Sequence, residues 1–339
     1  MKILQFTSGA ALLALLATGQ RVLAGDEAAT ETRISGFVDA SYSGNVDTGG
    51  DAFRLDQVEL DVEHHVGGKL LLRADVESAG DGALSVEQGW VKMSLPRFSR
   101  HSLTVGKFNA PMGVELLDAP QMLQYSHSLL FDYGLPTNLS GALVEGPLAG
   151  AADYKLFVVN GWGQNDETNA SHSWGGRLGW SLGDKGGVGL SFIRGREDAV
   201  KTSGPEDLQV VDVDLLFRPR SGTVLFAEFN SGTATPVGGA DQSWSGWMLG
   251  GHVDFAAVWG LTLRYDTLAD EDGVLFGMVN GANQSRTALA AAITVAAGPG
   301  RTVLLEARHD GSDQDAFSDG EGGLTGGTTQ LALEFTQTF

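Results

Sequence analysis

The sequence predicts an all-β protein: a transmembrane antiparallel β-barrel of about sixteen strands, with a long loop after strand five folded inward. Three observations carry this expectation. Stretches of alternating apolar and polar residues follow one another with almost no helical periodicity between them. Their connections alternate between long polar segments and tight turns. The chain also opens on a secretory leader and closes on an amphipathic strand that ends in an aromatic.

The leader is read first. Met1 and Lys2 give a positive start, residues 10–17 an apolar core, and Val22-Leu23-Ala24 a small-residue cleavage site. Residues 1–24 are expected to be a signal peptide, 25–32 a short periplasmic leader, and 33–339 the barrel. No other stretch has the roughly 18 uninterrupted apolar residues of a membrane helix. The absence of cysteine excludes disulfides and thiolate metal sites. A formal charge of −20 argues against a nucleic-acid partner, which would call for a basic surface.

Strands are expected at 33–43, 53–66, 68–79, 86–95, 101–108, 138–147, 152–161 and 173–182. The second half adds 186–195, 207–218, 221–231, 244–255, 258–267, 285–297, 300–310 and 328–339. Odd-numbered connections read as long: 44–51, 80–85, 109–137, 164–172, 197–206, 232–243, 269–284 and 311–327. Even-numbered ones read as tight turns, such as 66–68, 219–220 and 298–299. Short periplasmic turns and long extracellular loops give a membrane barrel this rhythm, and a sandwich has no reason to keep it.

Within strands, Gln57, Glu59, Asp61 and Glu63 oppose Val58, Leu60 and Val62. Lys69, Arg73, Asp75 and Glu77 oppose Leu70, Leu72, Ala74 and Val76, and Thr262, Arg264 and Asp266 oppose Leu261, Leu263 and Tyr265. Periodicity alone does not say which face is inside. The leader and loop rhythm assign the charged face to a wet lumen and the apolar face to lipid. Tryptophans such as Trp90, Trp162, Trp174, Trp180, Trp244, Trp247 and Trp259 often fall near strand ends, as interfacial girdles require. In the last strand Leu331, Leu333 and Phe335 alternate with Gln330, Ala332 and Glu334 before Phe339. This resembles the C-terminal strand of bacterial outer-membrane barrels, and the resemblance implies that Phe335 and Phe339 serve as an assembly signal read by the barrel-assembly machinery.

The third long connection, 109–137, is less polar than the others. An apolar loop of that length should be packed or functional, and a sixteen-stranded barrel is wide enough to take it inside, where it would narrow the lumen. Around it the sequence carries Val105-Gly106-Lys107-Phe108, Pro111-Met112-Gly113-Val114-Glu115, the 126–131 run from Ser126 to Phe131, Leu135-Pro136 and Ser140-Gly141. With Phe157 to Trp162, these segments resemble the β-barrel porin family described as OmpL-like, over about residues 101–165. The resemblance implies an outer-membrane porin-like barrel and, since sixteen-stranded porins are often trimers, a homotrimer. It transfers no known selectivity residue.

No catalytic constellation is read from the sequence: Walker A, His-Glu-x-x-His and EF-hand spacings are missing. His64-His65 reads as a solvated turn before it reads as a metal pair. Asp310, Asp313, Asp315, Asp319 and Glu321 crowd the eighth loop, where oxygen ligands for calcium compete with a plain acidic loop as the reading. The expected function is passive diffusion of small hydrophilic solutes or ions, with no cofactor, in a bacterial outer membrane among lipid and lipopolysaccharide. The expected channel-lining residues are Lys69, Arg73, Lys92, Lys155, Arg177, Arg264 and Arg286, facing Glu115 and Asp118 of the inward loop. Acidic mouths favour a weak cation preference. A plugged structural or adhesive barrel is the runner-up, and an outer-membrane lipase stands third.

Overall fold

A computed structural model describes residues 30–339 apart from Asp81, Ala199, Ser203 and Asn280. The signal-peptide segment and residues 25–29 lie outside the described residues. The barrel strands are β1 (Thr30–Asn45), β2 (Gly49–Val66), β3 (Leu70–Ser78), β4 (Ser85–Leu95), β5 (Phe98–Asn109), β6 (Asn138–Pro147), β7 (Ala152–Val159) and β8 (Ser173–Ser181). They continue as β9 (Gly186–Asp198), β10 (Pro205–Arg220), β11 (Thr223–Pro236), β12 (Gln242–Ala256), β13 (Trp259–Asp270), β14 (Gln284–Gly298) and β15 (Arg301–Ser312). A two-residue hairpin, β16 (Phe317–Ser318) with β17 (Leu324–Thr325), decorates the last loop, and β18 (Gly327–Thr338) completes the wall.

Each wall strand pairs antiparallel with its chain neighbours, and β1 pairs with β18 to close the sixteen-stranded barrel. Closure matters because an open edge would leave a row of unpaired backbone groups. All sixteen expected strands are present. β1 starts at Thr30, three residues into the expected leader.

Connections 67–69, 96–97, 148–151, 182–185, 221–222, 257–258 and 299–300 are tight. Gly67 and Gly68 take φ 60° and 67°, which an L side chain rarely adopts, and so turn the chain between β2 and β3. The other ends carry longer loops, with one exception. The first connection is only 46–48, because the Asn45 carboxamide accepts the Asp47 and Thr48 N–H groups and lets both strands run on.

Burial settles which face is inside. Leu60, Leu72, Leu178, Val213, Leu249, Leu263, Leu305 and Leu333 are exposed on the exterior, while Asp39, Glu59, Asp75, Asp212, Arg264, Asp266, Glu306 and Glu334 are buried within. Leu263 is 51% exposed between Arg264 at 1% and Thr262 at 0%. The arrangement is the inverse of a soluble barrel.

The interior is not uniformly polar. Phe108, Leu139, Phe157, Ile193, Leu208, Val210, Trp244 and Leu268 form an apolar sector facing inward. Trp162 and Trp244 therefore leave the expected exterior girdle: they pack edge-to-face inside, with centroids 6.4 Å apart, whereas Trp174, Trp180, Trp247 and Trp259 remain exposed outside.

The C-terminus docks beside the seam. The Phe339 N–H donates to the Gly36 carbonyl at 3.0 Å, and a Cβ on Gly36 would come within 2.2 Å of the Glu59 carbonyl oxygen and 2.8 Å of the Phe339 ring. Gly36→Val is expected to lower barrel stability by about 1–3 kcal/mol, as overpacking does. Thermal melting of the refolded protein checks this, and an unchanged midpoint contradicts it.

Candidate functional site

The connection between β5 and β6, residues 110–137, turns into the lumen. It contains a 3₁₀ turn at Ala119–Gln121 and a π-type turn at Leu130–Gly134. A loop inside a barrel has no strand ladder to join, so its backbone N–H groups need other acceptors. Wall carboxylates supply them. Asp212 accepts the Gly113 N–H at 3.1 Å, Glu228 the Val114 N–H at 2.8 Å, and Asp266 the Leu129 N–H at 2.8 Å. Glu306 accepts two, from Tyr125 at 3.0 Å and Ser126 at 3.2 Å.

Arginines serve the loop carbonyls. Arg264 donates to the Ser126 carbonyl at 2.5 Å and the His127 carbonyl at 2.7 Å, and it pairs with Glu115 at 3.0 Å and Asp266 at 3.0 Å. Arg308 donates to the His127 carbonyl at 2.5 Å and pairs with Asp310 at 2.8 Å. Glu115 in turn accepts the Ser128 N–H at 3.0 Å, bracing the loop against itself. Met112, Leu129 and Leu135 pack onto the apolar sector of the wall. Each such side chain, buried, stabilises by about 1.5–3 kcal/mol.

Two outer loops lean in by the same device. Asp270 accepts the Val274, Leu275 and Phe276 N–H groups, and Glu206 accepts those of Lys201 and Thr202. Phe276 then meets Tyr133 edge-on at 4.9 Å, with the Arg286 guanidinium 4.2 Å from its ring centre. Lys201 lies 4.9 Å from the Trp162 ring and donates to the Tyr133 carbonyl at 2.8 Å.

What stays open is a cavity of about 750 Å³ between the loop and the β1–β2 and β14–β18 wall. Tyr125, His127 and Asp132 line it from the loop, and Asp39, Asp56, Arg286, Arg308 and Glu334 from the wall. His127 stacks on Phe131 at 3.9 Å and donates from Nε2 to the Leu116 carbonyl, which fixes its ring at the rim. Burial pushes the Asp132 carboxyl above the ordinary carboxylate range, against the pull of His127 and Arg308.

The expected lining residues divide. Arg264 and Glu115 meet, and Arg286 lines the cavity. Lys155 and Arg177 line a second space of about 240 Å³ on another side of the loop; Arg177 also pairs with Asp214, and Lys92 and Lys155 share Glu145. Arg73 is held by Asp61, Glu63 and Asp75. Lys69 lies exposed in the β2–β3 turn. Asp118 sits with Glu59 and Glu87. Burial raises its carboxyl, aided by the negative charge of Asp61. The loop anchors Asp212, Glu228, Asp266, Glu306 and Arg308 are not among the expected lining residues, although alternation puts Asp266 on the lumen face and Glu306, Arg308 and Asp310 share one face of β15 by parity.

Residues 32–339 match the family model described as "Putative beta-barrel porin-2, OmpL-like". No curated protein sequence matches the chain. The fold is similar to OmpT, an outer membrane protein of Vibrio cholerae solved in a trimer form, with TM-score 0.68 and 12% identity over 92% of this chain and 100% of that one. It is also similar to an anion-selective porin from Comamonas acidovorans, with TM-score 0.63 and 11% identity over 92% and 100%. Salmonella typhi OmpF in complex with daunomycin gives TM-score 0.63 and 12% identity over 91% and 97%.

Burial lowers the Lys201 ammonium to about 8, against the opposing pull of Glu206 and Asp270. The unfolded chain therefore holds this proton more tightly, and the stability contributed at Lys201 rises with pH from about 8 toward the ordinary lysine value of 10.5. Loss of the proton removes the cation from the Trp162 and Trp244 rings. A tryptophan-fluorescence transition with a midpoint near 8 is expected in the folded protein and absent in Lys201→Met. Identical titrations for both proteins contradict the assignment.

Proposed function

The chain belongs to the β-barrel porin family described as OmpL-like, and from that premise we propose that it is an outer-membrane channel for passive diffusion of small hydrophilic solutes and ions. One observation carries the reading: a barrel apolar outside and charged inside that keeps a cavity of about 750 Å³ between its inward loop and its wall. Exposed leucines around the exterior favour a hydrocarbon surrounding by about 1.5–3 kcal/mol each. Only helices and closed barrels satisfy their backbone there. Among the described residues no helix is long and apolar enough to cross a membrane, which says nothing of strands.

The charge at the rim gives the selectivity. Asp39, Asp56, Asp132, Asp310 and Glu334 line the cavity together with Arg286 and Arg308, the last paired with Asp310. Fixed acids in excess attract cations, so this channel prefers them weakly. The Comamonas porin is described as anion-selective, so the two would share a fold and differ in lining. A homotrimer is the proposed assembly, supported by the trimer form described for Vibrio OmpT. Phe335 and Phe339 are proposed to be read by the assembly machinery, within a membrane of lipid and lipopolysaccharide.

The apolar contact of Met112, Leu129 and Leu135 with the wall favours a second reading, a barrel kept closed by its loop. Planar-bilayer conductance of the refolded protein separates the two. Discrete steps are expected, larger after deletion of residues 112–134, with a reversal potential in a salt gradient that favours cations. Silence from both folded proteins selects the closed barrel, and anion selectivity overturns the charge argument.

A further inference from the structure

We propose that Glu59, Glu87 and Asp118 form a calcium site that ties the inward loop to the β2–β4 side of the wall. Glu59 stands on β2, Glu87 on β4, and Asp118 on the loop immediately before its 3₁₀ turn. One carboxylate oxygen from each lies within 4.8 Å of the others. Glu59 is 1% exposed and Glu87 5%. Both Glu59 oxygens and Oε1 of Glu87 are buried and lack a hydrogen-bond donor. None of the ion pairs among the described residues includes any of the three.

Buried carboxylates without partners are costly, because desolvation is not repaid. The neighbouring acids Asp61 and Asp75, by contrast, each have a cation within ion-pair distance. Arg73 reaches Asp61 at 3.6 Å and Asp75 at 2.8 Å, and the Gln88 amide donates to Asp75 at 2.7 Å. The acids of the eighth loop are also engaged: Asp319 accepts the Glu321 and Gly323 N–H groups, and Asp313 the Ser285 N–H. Among the described residues, Glu59 is the one carboxylate with both oxygens buried and unpartnered.

The donor set selects the ion. Oxygen ligands alone favour hard cations over transition metals. Oxygens up to 4.8 Å apart are spanned by two calcium–oxygen bonds of about 2.4 Å, whereas magnesium at about 2.1 Å reaches less far and demands regular octahedral geometry. Three carboxylates bearing three negative charges are reduced to a net single charge by one divalent ion, and water completes the coordination. The loop anchors described above lie on β10, β11, β13 and β15. An ion at Asp118 adds an attachment on the β2 and β4 side, which those anchors do not reach. Binding does not depend on conduction, since a silent barrel would hold the ion equally well.

Calorimetric titration of the chelator-treated, refolded full chain with calcium chloride is the test, with folding of each variant checked by unheated gel mobility. One saturable site per chain is expected, with weaker binding of magnesium. Asp118→Asn and Glu59→Gln each weaken it by roughly tenfold or more, and Asp319→Asn leaves it unchanged. Asp118 lies on the loop, so its variant keeps the test sharp if the wall variant fails to fold. Absence of saturable binding, equal affinity in Asp118→Asn, or loss in Asp319→Asn overturns the proposal.

Discussion

The inward loop depends on one interaction: wall carboxylates accepting backbone N–H groups from a segment that has no strand to pair with. Asp212, Glu228, Asp266 and Glu306 act as fixed acceptors, and Arg264 and Arg308 return donors to the loop carbonyls. Hydrogen bonds to charged groups contribute about 1.5–3 kcal/mol each, and an unpaired buried amide costs a similar amount. A loop so held is a wall of its own. It divides the lumen into a packed side and an open side, and the cavity lies on the open side.

The same charges that fasten the loop require the barrel to be inside out. Most buried acids and arginines on the inner face are bonded to each other or to the loop, while leucines and other apolar side chains predominate on the outer face. Closure between β1 and β18 makes the exterior continuous, since no edge is left to pair. Fold and lining are therefore coupled. Replacing an anchor would disturb both the loop and the charge pattern that lines the cavity.

The strands were legible because each wall segment alternates between an apolar exterior face and a polar interior face, and period two survives in the residue string. The first connection was drawn too long, because Gly44 and Asn45 read as loop residues but extend β1. The inward direction of 110–137 was legible from its apolar content. Its anchors were not, because they lie far away in sequence: 99 positions separate Gly113 from Asp212, and 181 separate Tyr125 from Glu306. Lys69 shows the opposite limit. Its parity matches Arg73, but the turn begins before its side chain can join the wall. The inward Trp162 and Trp244 mislead for a related reason, since aromatics near strand ends suit both a girdle and a loop-covered interior.

The central claim is that the space between loop and wall is the conducting path. The chain has no cysteine, so one introduced thiol reports one position. The most direct measurement is current through Asp132→Cys before and after a bulky cationic thiol reagent, with the buried Leu130→Cys as its counterpart. The account predicts that modification at 132 reduces the current while 130 stays unreactive. Complete modification at 132 with unchanged current would place the path elsewhere and contradict it.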